Sequence, residues 1–336
     1  MEGSKKSTLR IGVLGAAKIT PMALMTPVRR MNDVEVVAVA ARSEDRAAKF
    51  ARRHRIPNIC ASYEELVQHE DIDAIYNPLP NSHHAYWSIE AMRAGKHVLC
   101  EKPIASNSDE ASKMQEIAEA HNRILMEAFH WRYHPLAVRA IELIRSNVIG
   151  KIKHIDAKFC VPIPFINNIR YSFELAGGGL MDTGCYTVSM LRHLAGVEPE
   201  VTHASAKTVR GNIDRFMEAD LVYPNGATAG LRCSIWAWPL LSVHLEVRGE
   251  TGRMNIMNPV APHILYHHLK IRSPQGQKTE RFWGQSTYQC QLNAFKDAIA
   301  RNEPPITDGR DGILNMKVID AIYRKAGMKP RAGLFQ

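Results

Sequence analysis

The stretch Lys96-His97-Val98-Leu99-Cys100-Glu101-Lys102-Pro103 decides how the rest of the chain is interpreted. Gly95 is a typical helix stop, and the apolar or small residues 98–100 predict a short buried strand. Ligands of an open α/β sheet bind outside the carboxyl ends of its strands. Because Lys102 directly follows the predicted strand, we expect it at this ligand-binding edge of the sheet. Pro103 disfavours a helical backbone at Lys102 and permits a cis bond. Taken alone, Glu-Lys-Pro is more typical of an exposed lysine in a turn, so the interpretation depends on the other segments.

Length and charge restrict the class of protein. The chain has 336 residues, which exceeds the usual limit for one hydrophobic core and predicts two domains. It is 45% hydrophobic and 23% charged, as is typical of a soluble globular protein. Its 43 Lys and Arg residues against 34 Asp and Glu residues give a net charge of +9. The basic residues are scattered, so an anionic cofactor explains the charge more economically than nucleic acid does.

Cysteine spacing and hydropathy indicate a reducing compartment. The six cysteines, at positions 60, 100, 160, 185, 233 and 290, form no Cys-x-x-Cys pair. We therefore expect reduced thiols in a cytoplasmic protein, with no structural zinc or other metal and no disulfide framework. No apolar run is long enough to span a membrane, so we expect no membrane partner. Residues 1–7 are polar, lack a signal-peptide hydrophobic region and predict a disordered tail.

The start of the chain carries a candidate phosphate-binding turn. Residues 9–14 predict an apolar strand that breaks at Gly15, and Pro21 and Pro27 predict that the following helix is short or irregular. A strand, a tight turn and a helix start bind pyrophosphate through helix N–H groups. The glycine fingerprint is degraded to Gly-x-Ala-x-x-Thr, which an ordinary strand–helix turn would also fit. The residues that we expect to contact the cofactor here are Gly15, Ala16, Ala17, Lys18 and Ile19.

The next strand indicates which dinucleotide is bound. Residues 34–40 are rich in β-branched side chains and end in Ala-Arg-Ser, about where a dinucleotide fold meets the adenine ribose. An acidic residue at this point would bind the free 2′-hydroxyl of NAD. The chain has Arg42 and Ser43 instead, and a guanidinium suits a 2′-phosphate. We therefore expect NADP rather than NAD, the alternative being a solvated Arg42 followed by a helix-capping Ser43.

A third strand, residues 73–76, runs into a proline-rich loop that fits a rigid ledge for the cofactor. Two adjacent histidines begin the next helix, and they fail as a metal pair because neighbours on a helix point apart. One of them is expected to contact cofactor or substrate. Strands and helices alternate up to residue 126, which predicts a doubly wound parallel sheet over residues 8–126. The expected cofactor contacts from this region are Pro78, Leu79, Asn81, His84, Glu101 and Lys102.

The second half of the chain has a different pattern. After a predicted helix at 135–144 it contains strand-like runs without alternating helices, which predict an open, mostly antiparallel sheet with one covered face. Trp236 and Trp238 are two residues apart and are expected on one face, in packing or in lining a sugar pocket. The runs that we predict as strands are 151–161, 201–210, 216–223, 227–238, 243–249 and 263–272.

A glycine-rich segment carries the second part of the chemistry. Gly177-Gly178-Gly179 permits close backbone approach, and the helix that follows places Asp182 and Tyr186 four residues apart on one face. A buried Tyr186 and a capping Asp182 would explain the same residues without catalysis. Ahead of this helix, residues 162–170 are expected to line a pocket, with Phe165 stacking on a ring and Arg170 donating to hydroxyls. Arg170 is equally well explained as an ion-pair partner.

Several of these segments together resemble the Gfo/Idh/MocA oxidoreductases. The resemblance spans almost the whole chain, and the order of the Glu-Lys-Pro element and the Asp-x-Gly-x-Tyr element is specific. Ala17 and Thr20 depart from the glycine fingerprint. The matching segments are 11–15, 78–84, 94–103, 127–135, 177–186, 288–295 and 315–321.

The resemblance implies a Rossmann domain followed by a substrate-binding and oligomerisation domain of α+β type over residues 127–336, with a homodimer or homotetramer formed through its sheet. It also implies that Trp131, Arg132 and Tyr288 contact the cofactor. Of the two tryptophans at 236 and 238, Trp236 is the one that we expect in the substrate pocket if either lines it. A tyrosine at position 186 looks more like the branches that act on pyranose sugars, cyclic polyols or trans-dihydrodiols. Such members transfer a hydride between nicotinamide and a hydroxyl or keto carbon.

We derive a mechanism from the three residues Lys102, Asp182 and Tyr186. Tyr186 serves as the acid or base at the substrate oxygen, and because a free tyrosine has a pKa of about 10 it needs assistance near neutrality. Lys102 as ammonium would stabilise tyrosinate and polarise the alkoxide, and Asp182 would bind the substrate and keep Lys102 charged. Two alternatives stay open: an NAD-dependent glycosidase that oxidises and re-reduces its substrate, and a cofactor-binding regulator without chemistry.

Overall fold

The computed structural model describes residues 8–163 and 168–334, which form two sheets and the helices around them. The expected disordered tail at residues 1–7 lies outside the described residues. The strands are β1 (Leu9–Leu14), β2 (Val34–Ala40), β3 (Asn58–Ile59), β4 (Ala74–Asn77), β5 (His97–Cys100), β6 (Leu125–Glu127), β7 (Ile152–Cys160), β8 (Glu200–Val209), β9 (Ile213–Val222), β10 (Thr228–Ser234), β11 (Ser242–Gly249), β12 (Arg253–Met257), β13 (His268–Ser273) and β14 (Gly276–Glu280). The helices are α1 (Thr26–Val28), α2 (Glu44–His54), α3 (Tyr63–Gln68), α4 (His84–Arg93), α5 (Ser108–Ala120), α6 (Pro135–Arg145), α7 (Cys185–Ala195), α8 (Thr287–Arg301) and α9 (Gly309–Lys325).

The first sheet is parallel and doubly wound, as predicted. Its order in the described chain is β3-β2-β1-β4-β5-β6, and every pair in it is parallel. The strand order reverses between β1 and β4, so the carboxyl ends of these two strands flank the crevice in which such folds bind ligands. β4 is buried along its whole length and β1 along nearly all of it, as expected for central strands with helices on both faces.

The two prolines after β1 have the expected effect on helix geometry. Residues Pro21–Met25 form a π-helical turn, which continues into the three residues of α1. Gly15 has a φ of +82°, a conformation that a side chain would disfavour, and it makes the sharp turn between strand and helix. Thr20 occupies the last fingerprint position and is fully buried. The irregular helix therefore begins at the crevice.

The second sheet has the order β14-β13-β12-β11-β7-β10-β9-β8 among the described residues. Its pairs are antiparallel except for β7 with β10, so the prediction of an open, mostly antiparallel sheet is confirmed. Helices α7 and α9 pack on one face. The strand predicted to reach Trp238 ends at Ser234, because the chain leaves the sheet there and Trp236 and Trp238 lie in the following loop. Residues 263–267 likewise belong to a loop rather than to the predicted strand.

Two late helices return to the nucleotide-binding half. Leu292 and Phe295 of α8 are buried in the same core as Val13 and Tyr76 from the central strands. Helix α9 packs along α5. The end of the chain therefore helps to complete the core of its beginning, and the two halves are joined over a wide contact.

The described residues hold no helix long and apolar enough to cross a membrane. Over the same residues, no group of three or more His, Cys, Asp or Glu side chains has an arrangement suited to a metal ion.

Glu127, the last residue of β6, is a buried carboxyl group that supports the loop after Lys102. Its Oε1 accepts a hydrogen bond from the backbone N–H of Ile104 at 2.9 Å, and its Oε2 has no partner among the described residues. Burial, with a smaller contribution from Asp311, raises the pKa of Glu127 to about 8. The carboxyl group is therefore protonated in the folded protein at neutral pH, although the same group in the unfolded chain is ionised.

We predict that Glu127→Gln removes a pH dependence from the stability of the protein. The folded pKa of about 8 exceeds the unfolded value, so the stabilisation is complete below pH 4 and is lost as the pH rises through 8. The wild type should lose on the order of 3 kcal/mol of unfolding free energy between pH 5 and pH 8 from this group alone. The Glu127→Gln variant, whose amide does not titrate, should not show this loss of unfolding free energy. Urea unfolding of both proteins across this range tests the prediction, and a constant difference between them at every pH would contradict it.

Candidate active site

Lys102 and Asp182 meet between the two halves of the chain. Lys102 follows β5, and its backbone is held beside β4 because the N–H of Glu101 donates to the carbonyl of Asn77 at 3.0 Å. The peptide bond between Lys102 and Pro103 is cis. Lys102 Nζ donates to the backbone oxygen of Asp182 at 2.9 Å and to its Oδ1 at 3.2 Å. The two side chains are each only 14% exposed, so a nearly buried ion pair joins the halves.

Arg170 is the second cation on the same carboxylate. Its Nε lies 2.7 Å from Asp182 Oδ2, so each carboxylate oxygen of Asp182 has its own cationic partner. Burial raises the pKa of Asp182, but Lys102 and Arg170 outweigh burial and lower it to about 2. Burial lowers the pKa of Lys102, and the charge of Asp182 overcomes this effect, so its pKa is raised. At neutral pH the three groups are ionised and carry one net positive charge.

Tyr186 lies beside this ion pair, and its hydroxyl contacts a histidine. Lys102 Nζ is 5.0 Å from the centre of the Tyr186 ring, over its face. Tyr186 Oη is 3.0 Å from His130 Nε2, and both residues are buried. Burial lowers the pKa of His130 well below its ordinary value, with smaller contributions from His263 and Lys102, so its imidazole is neutral. A neutral imidazole can accept the phenol proton at one nitrogen.

The phenol itself is strongly held in its protonated form. Burial raises the pKa of Tyr186 well above its ordinary value, and Tyr288 and Glu101 add to the effect. In this structure Lys102 faces the ring and directs its hydrogen bonds to Asp182. The site therefore contains a neutral phenol, whereas the sequence-based mechanism assumed that Lys102 would stabilise tyrosinate.

A cleft of about 380 Å³ opens onto these groups. Its floor is polar and its outer walls are largely apolar, with side chains from β7 and from the loop after β12. Many residues predicted from the sequence are brought together here. The predicted site residues that line the cleft are Ile19, Pro78, Leu79, Asn81, His84, Glu101, Lys102, Arg170, Asp182, Tyr186 and Tyr288.

The crevice at the strand reversal fits a dinucleotide. The turn after β1 enters an irregular helix at residue 20, where buried Thr20 Oγ1 has no hydrogen-bond partner among the described residues. Gly15, Ala16, Ala17 and Lys18 form this turn, which leads directly to Ile19 on the cleft wall. Exposed Arg42 and Ser43 follow the adjacent strand β2. The charge of Arg42 acts on His83, at the start of α4, so the guanidinium lies along the same edge.

His84 and Glu101, which are both predicted to contact the cofactor, form hydrogen bonds within the protein. His84 Nδ1 is 2.8 Å from the carbonyl oxygen of Pro103, and its Nε2 is 2.8 Å from that of Leu79. The ring therefore connects the proline-rich ledge to the loop of Lys102, and it leaves neither nitrogen free. Glu101 Oε1 accepts a hydrogen bond from Tyr76 Oη at 2.7 Å, which fixes this carboxyl group beneath the cleft.

Of the predicted site residues after position 126 that the structure describes, three lie away from the cleft lining. Trp131 is buried behind it, with its ring 5.8 Å from that of His193. Arg132 forms an ion pair with Asp311 at 3.0 Å. Trp236 lies in the loop after β10, outside the cleft lining. Phe165 lies outside the described residues.

His130 is a residue of the candidate site that the sequence did not reveal. It belongs to a segment that resembled the family, but only its neighbours Trp131 and Arg132 were predicted to act. Its contact with Tyr186 joins positions 56 residues apart, and no spacing rule covers such a pair. The 3₁₀ turn at His130–Tyr133 turns His130 towards the cleft and buries its two neighbours.

Comparison with known proteins agrees with this geometry. The profile of the oxidoreductase family with an NAD-binding Rossmann fold matches residues 9–129, and that of the GFO/IDH/MocA C-terminal domain matches residues 137–255. The chain is 34% identical to D-xylose 1-dehydrogenase (NADP(+)) 2 of Haloferax volcanii, over 95% of this chain and 97% of that protein. It is 35% identical to trans-1,2-dihydrobenzene-1,2-diol dehydrogenase of Xenopus tropicalis, over 88% of this chain and 91% of that protein.

A solved structure matches the whole fold. The 3-ketoreductase of Actinomadura kijaniata, in complex with NADP and TDP-benzene, superimposes with a TM-score of 0.88 at 28% identity, over 96% of this chain and 98% of that chain. The predicted fold class and family are thereby confirmed, as is the prediction of a dehydrogenase or reductase. The chain belongs to the GFO/IDH/MocA family of oxidoreductases with an NAD-binding Rossmann fold.

Proposed function

We propose that this protein is an NADP-dependent oxidoreductase that transfers a hydride between nicotinamide and a hydroxyl or keto carbon of a pyranose sugar, cyclic polyol or trans-dihydrodiol. The observation that carries the proposal is the meeting of Lys102, Asp182 and Tyr186 at the floor of the cleft. Relatives that act with NADP on xylose or carry a dihydrodiol dehydrogenase name support the choice of cofactor and substrate class.

Bound NADP supplies the hydride chemistry, and the protein holds the substrate and manages one proton. The Tyr186 hydroxyl donates that proton to the developing alkoxide when a ketone is reduced. Lys102 contributes a positive charge beside the same oxygen, in a site where low exposure strengthens the interaction. Asp182 accepts a hydrogen bond from a neighbouring substrate hydroxyl and keeps Lys102 charged.

His130 provides a place for the proton in the oxidative direction. When the substrate carbon gives up a hydride, its hydroxyl group must lose a proton, and the Tyr186 phenol can accept that proton only if it passes its own proton on. Neutral His130, 3.0 Å from the phenol oxygen, is the acceptor. The two side chains therefore form a short relay, which avoids a free tyrosinate in the buried site.

The cleft walls restrict the shape of the substrate. The apolar side chains in the lining are mainly those of Val161, Ile163, Ile169, Val260 and Ile264. These side chains can pack on a ring or on a deoxygenated edge but offer no hydrogen bonds. Hydroxyls must therefore point to the floor, where the polar groups are. A ring with two adjacent oxygens on one edge satisfies this arrangement.

We also propose that the protein forms a homodimer or homotetramer through the open face of its second sheet. Arg253 faces Arg248 and Arg272 on the neighbouring strands, and like charges directly opposite each other are destabilising. The other half of the same face carries Glu218 and Asp220 on β9. A second copy related by a two-fold axis would bring these acids over the arginines.

The six free cysteines fit a reducing cytoplasm, which we propose as the location.

We predict that Tyr186→Phe lowers kcat for ketone reduction by about 10²–10⁴-fold, because the general acid is lost. The dissociation constant of NADP should stay within about twofold of wild type, since the phenol belongs to the substrate side of the site. Steady-state NADPH consumption with a panel of keto sugars and diketones measures the first quantity, and fluorescence titration the second. Tyr223→Phe, which removes a buried hydroxyl bonded to Leu191 away from the cleft, is the matched control.

A Tyr186→Phe enzyme that turned over at the wild-type rate would rule out this role for the phenol. A wild type that cleaved a glycoside without any change in steady-state nicotinamide absorbance would instead indicate the glycosidase reaction.

We predict that Arg42→Ala weakens NADP binding by about 10–100-fold, the value of a lost charged hydrogen bond to the 2′-phosphate. NAD has no such phosphate, so its affinity should change little. Calorimetric titration with both cofactors measures the ratio. Arg93→Ala, which removes an exposed arginine paired with Glu90, serves as the control. Equal weakening of both cofactors, or of neither, would show that Arg42 does not select NADP.

We predict that the wild type sediments as a dimer or tetramer at micromolar concentration. The double substitution Arg253→Glu and Arg272→Glu should shift it towards monomer, because acidic groups would then face acidic groups across the interface. High salt should weaken the wild-type assembly as well, since exposed charges are screened. A wild type that sediments as a monomer at all concentrations would exclude this interface.

A further inference from the structure

The segment after α9 inserts a fully buried arginine behind the active site. The Arg331 side chain has no exposed surface. Its Nε donates to the carbonyl oxygen of Gly177 at 2.7 Å, and its Nη2 donates to Asp214 Oδ1 at 2.7 Å. Its guanidinium carbon is 4.3 Å from the Tyr323 ring centre and 4.9 Å from that of Phe173. Charge, hydrogen bonds and ring contacts all hold this side chain in one position.

Asp214 connects Arg331 to the start of the segment that carries Asp182. Its Oδ2 accepts a hydrogen bond from the backbone N–H of Leu180 at 2.6 Å, and its Oδ1 also accepts one from Tyr323 Oη at 2.9 Å. Leu180 is the first residue of the π-helical turn Leu180–Gly184 that leads into α7. A carboxylate at this end fixes a helix N–H group and is favoured by the helix dipole.

The glycine turn between these contacts has no spare room. Gly178 has a φ of +137°, and a Cβ on it would overlap Asp214 Oδ1 and lie 2.9 Å from Arg331 Nη2. The carbonyl oxygen of Gly178 accepts the hydrogen bond of the Asp182 N–H at 3.0 Å. The turn that packs on Arg331 is thus the turn that holds the Asp182 backbone.

Arg331 also contacts the nucleotide-binding half. Its carbonyl oxygen accepts a hydrogen bond from Asn107 Nδ2 at 2.9 Å. The Asn107 side chain caps α5, five residues after Lys102. One residue therefore holds the loop region of Lys102 through its backbone and the glycine turn of Asp182 through its side chain.

We propose that Arg331 is a positioning residue for the reaction. It acts through Gly177 and Asp214 to hold Asp182 against Lys102 across the cleft, although it touches neither substrate nor cofactor. This inference rests on the proposed redox function. Loss of Arg331 should misplace the ion pair and leave unaffected the cofactor turn after β1, to which none of the hydrogen bonds or ring contacts of Arg331 given above extends.

The test compares Arg331→Met and Arg331→Lys with a control that is destabilised elsewhere. Leu269→Ala removes a fully buried side chain from β13, remote from the cleft floor. For each variant, kcat, the dissociation constant of NADP and Tm are measured with the substrate that the wild type uses best. We expect kcat to fall at least tenfold in Arg331→Met and less in Arg331→Lys, which keeps a charge for Asp214. The NADP affinity of both Arg331 variants should change less than twofold. The Leu269→Ala control should have a lower Tm than the wild type but the same kcat.

Two kinetic results with Arg331→Met and its control would overturn the inference. One is an unchanged kcat in Arg331→Met despite a lower Tm, and the other is a kcat loss in Leu269→Ala of the same size. If Arg331→Met does not fold, Arg331→Lys is judged by the same criteria, with any loss of kcat beyond that of Leu269→Ala supporting the inference and none overturning it.

A readout independent of turnover separates this inference from the proposed function. Reductive methylation with ¹³C gives Lys102 an NMR signal, which Lys102→Arg identifies by its disappearance. A change in that signal's titration in the Arg331 variants supports the positioning role even if the wild type reduces none of the compounds tested. An unchanged titration overturns it, whatever the outcome for the proposed function.

Discussion

The active site depends on one nearly buried ion pair between residues that lie 80 positions apart. Removing the charges of Lys102 and Asp182 from water costs several kcal/mol each, and only close contact and further hydrogen bonds compensate for this loss. The structure supplies both: the ammonium reaches the carboxylate and the backbone oxygen of Asp182, and Arg170 holds the second carboxylate oxygen. Such a pair tolerates little displacement, because a partner left alone would be a buried charge. The ion pair therefore holds the two halves of the chain in one relative position around the cleft.

The charges in the cleft also limit which chemistry it can support. Lys102, Arg170 and Asp182 sum to one positive charge beside the neutral Tyr186 and His130. The carboxyl group of Glu101, whose pKa burial raises, also lines the cleft and contributes no positive charge. An oxygen that gains negative charge is stabilised beside such a group of residues, whereas a developing cation is not. This favours reactions that pass through an alkoxide. Preorganised charges act here without rearrangement, since their partners already fix them before substrate binds.

Local sequence patterns predicted the elements of the site, but not all of its contacts. Lys102 at the end of a strand, the turn at Gly15 and the glycine-rich start of the Asp182 segment each have a signature within about ten residues. The contact of His130 with Tyr186 and that of Arg331 with Gly177 span 56 and 154 positions, and such contacts depend on how the sheets pack. Trp236 was misplaced for a related reason: its alternation with Trp238 fits a strand, yet β10 ends at Ser234. Arg170 was assigned to both hydroxyl binding and ion pairing, and the partner it has is the predicted catalytic carboxylate.

The protonation states of Tyr186 and His130 have a consequence for direction. With the phenol held neutral by burial, the resting site is ready to give a proton to a carbonyl oxygen and needs no prior ionisation. In the proposed oxidation the proton passes to His130, whose pKa burial lowers and whose neighbours His263 and Lys102 oppose its charge. A rising pH assists the removal of that proton, so oxidation should gain from alkaline conditions while reduction should not. Burial thus keeps the proton that reduction needs on Tyr186 near neutral pH, and the tyrosinate left by its donation must regain a proton before the next turnover.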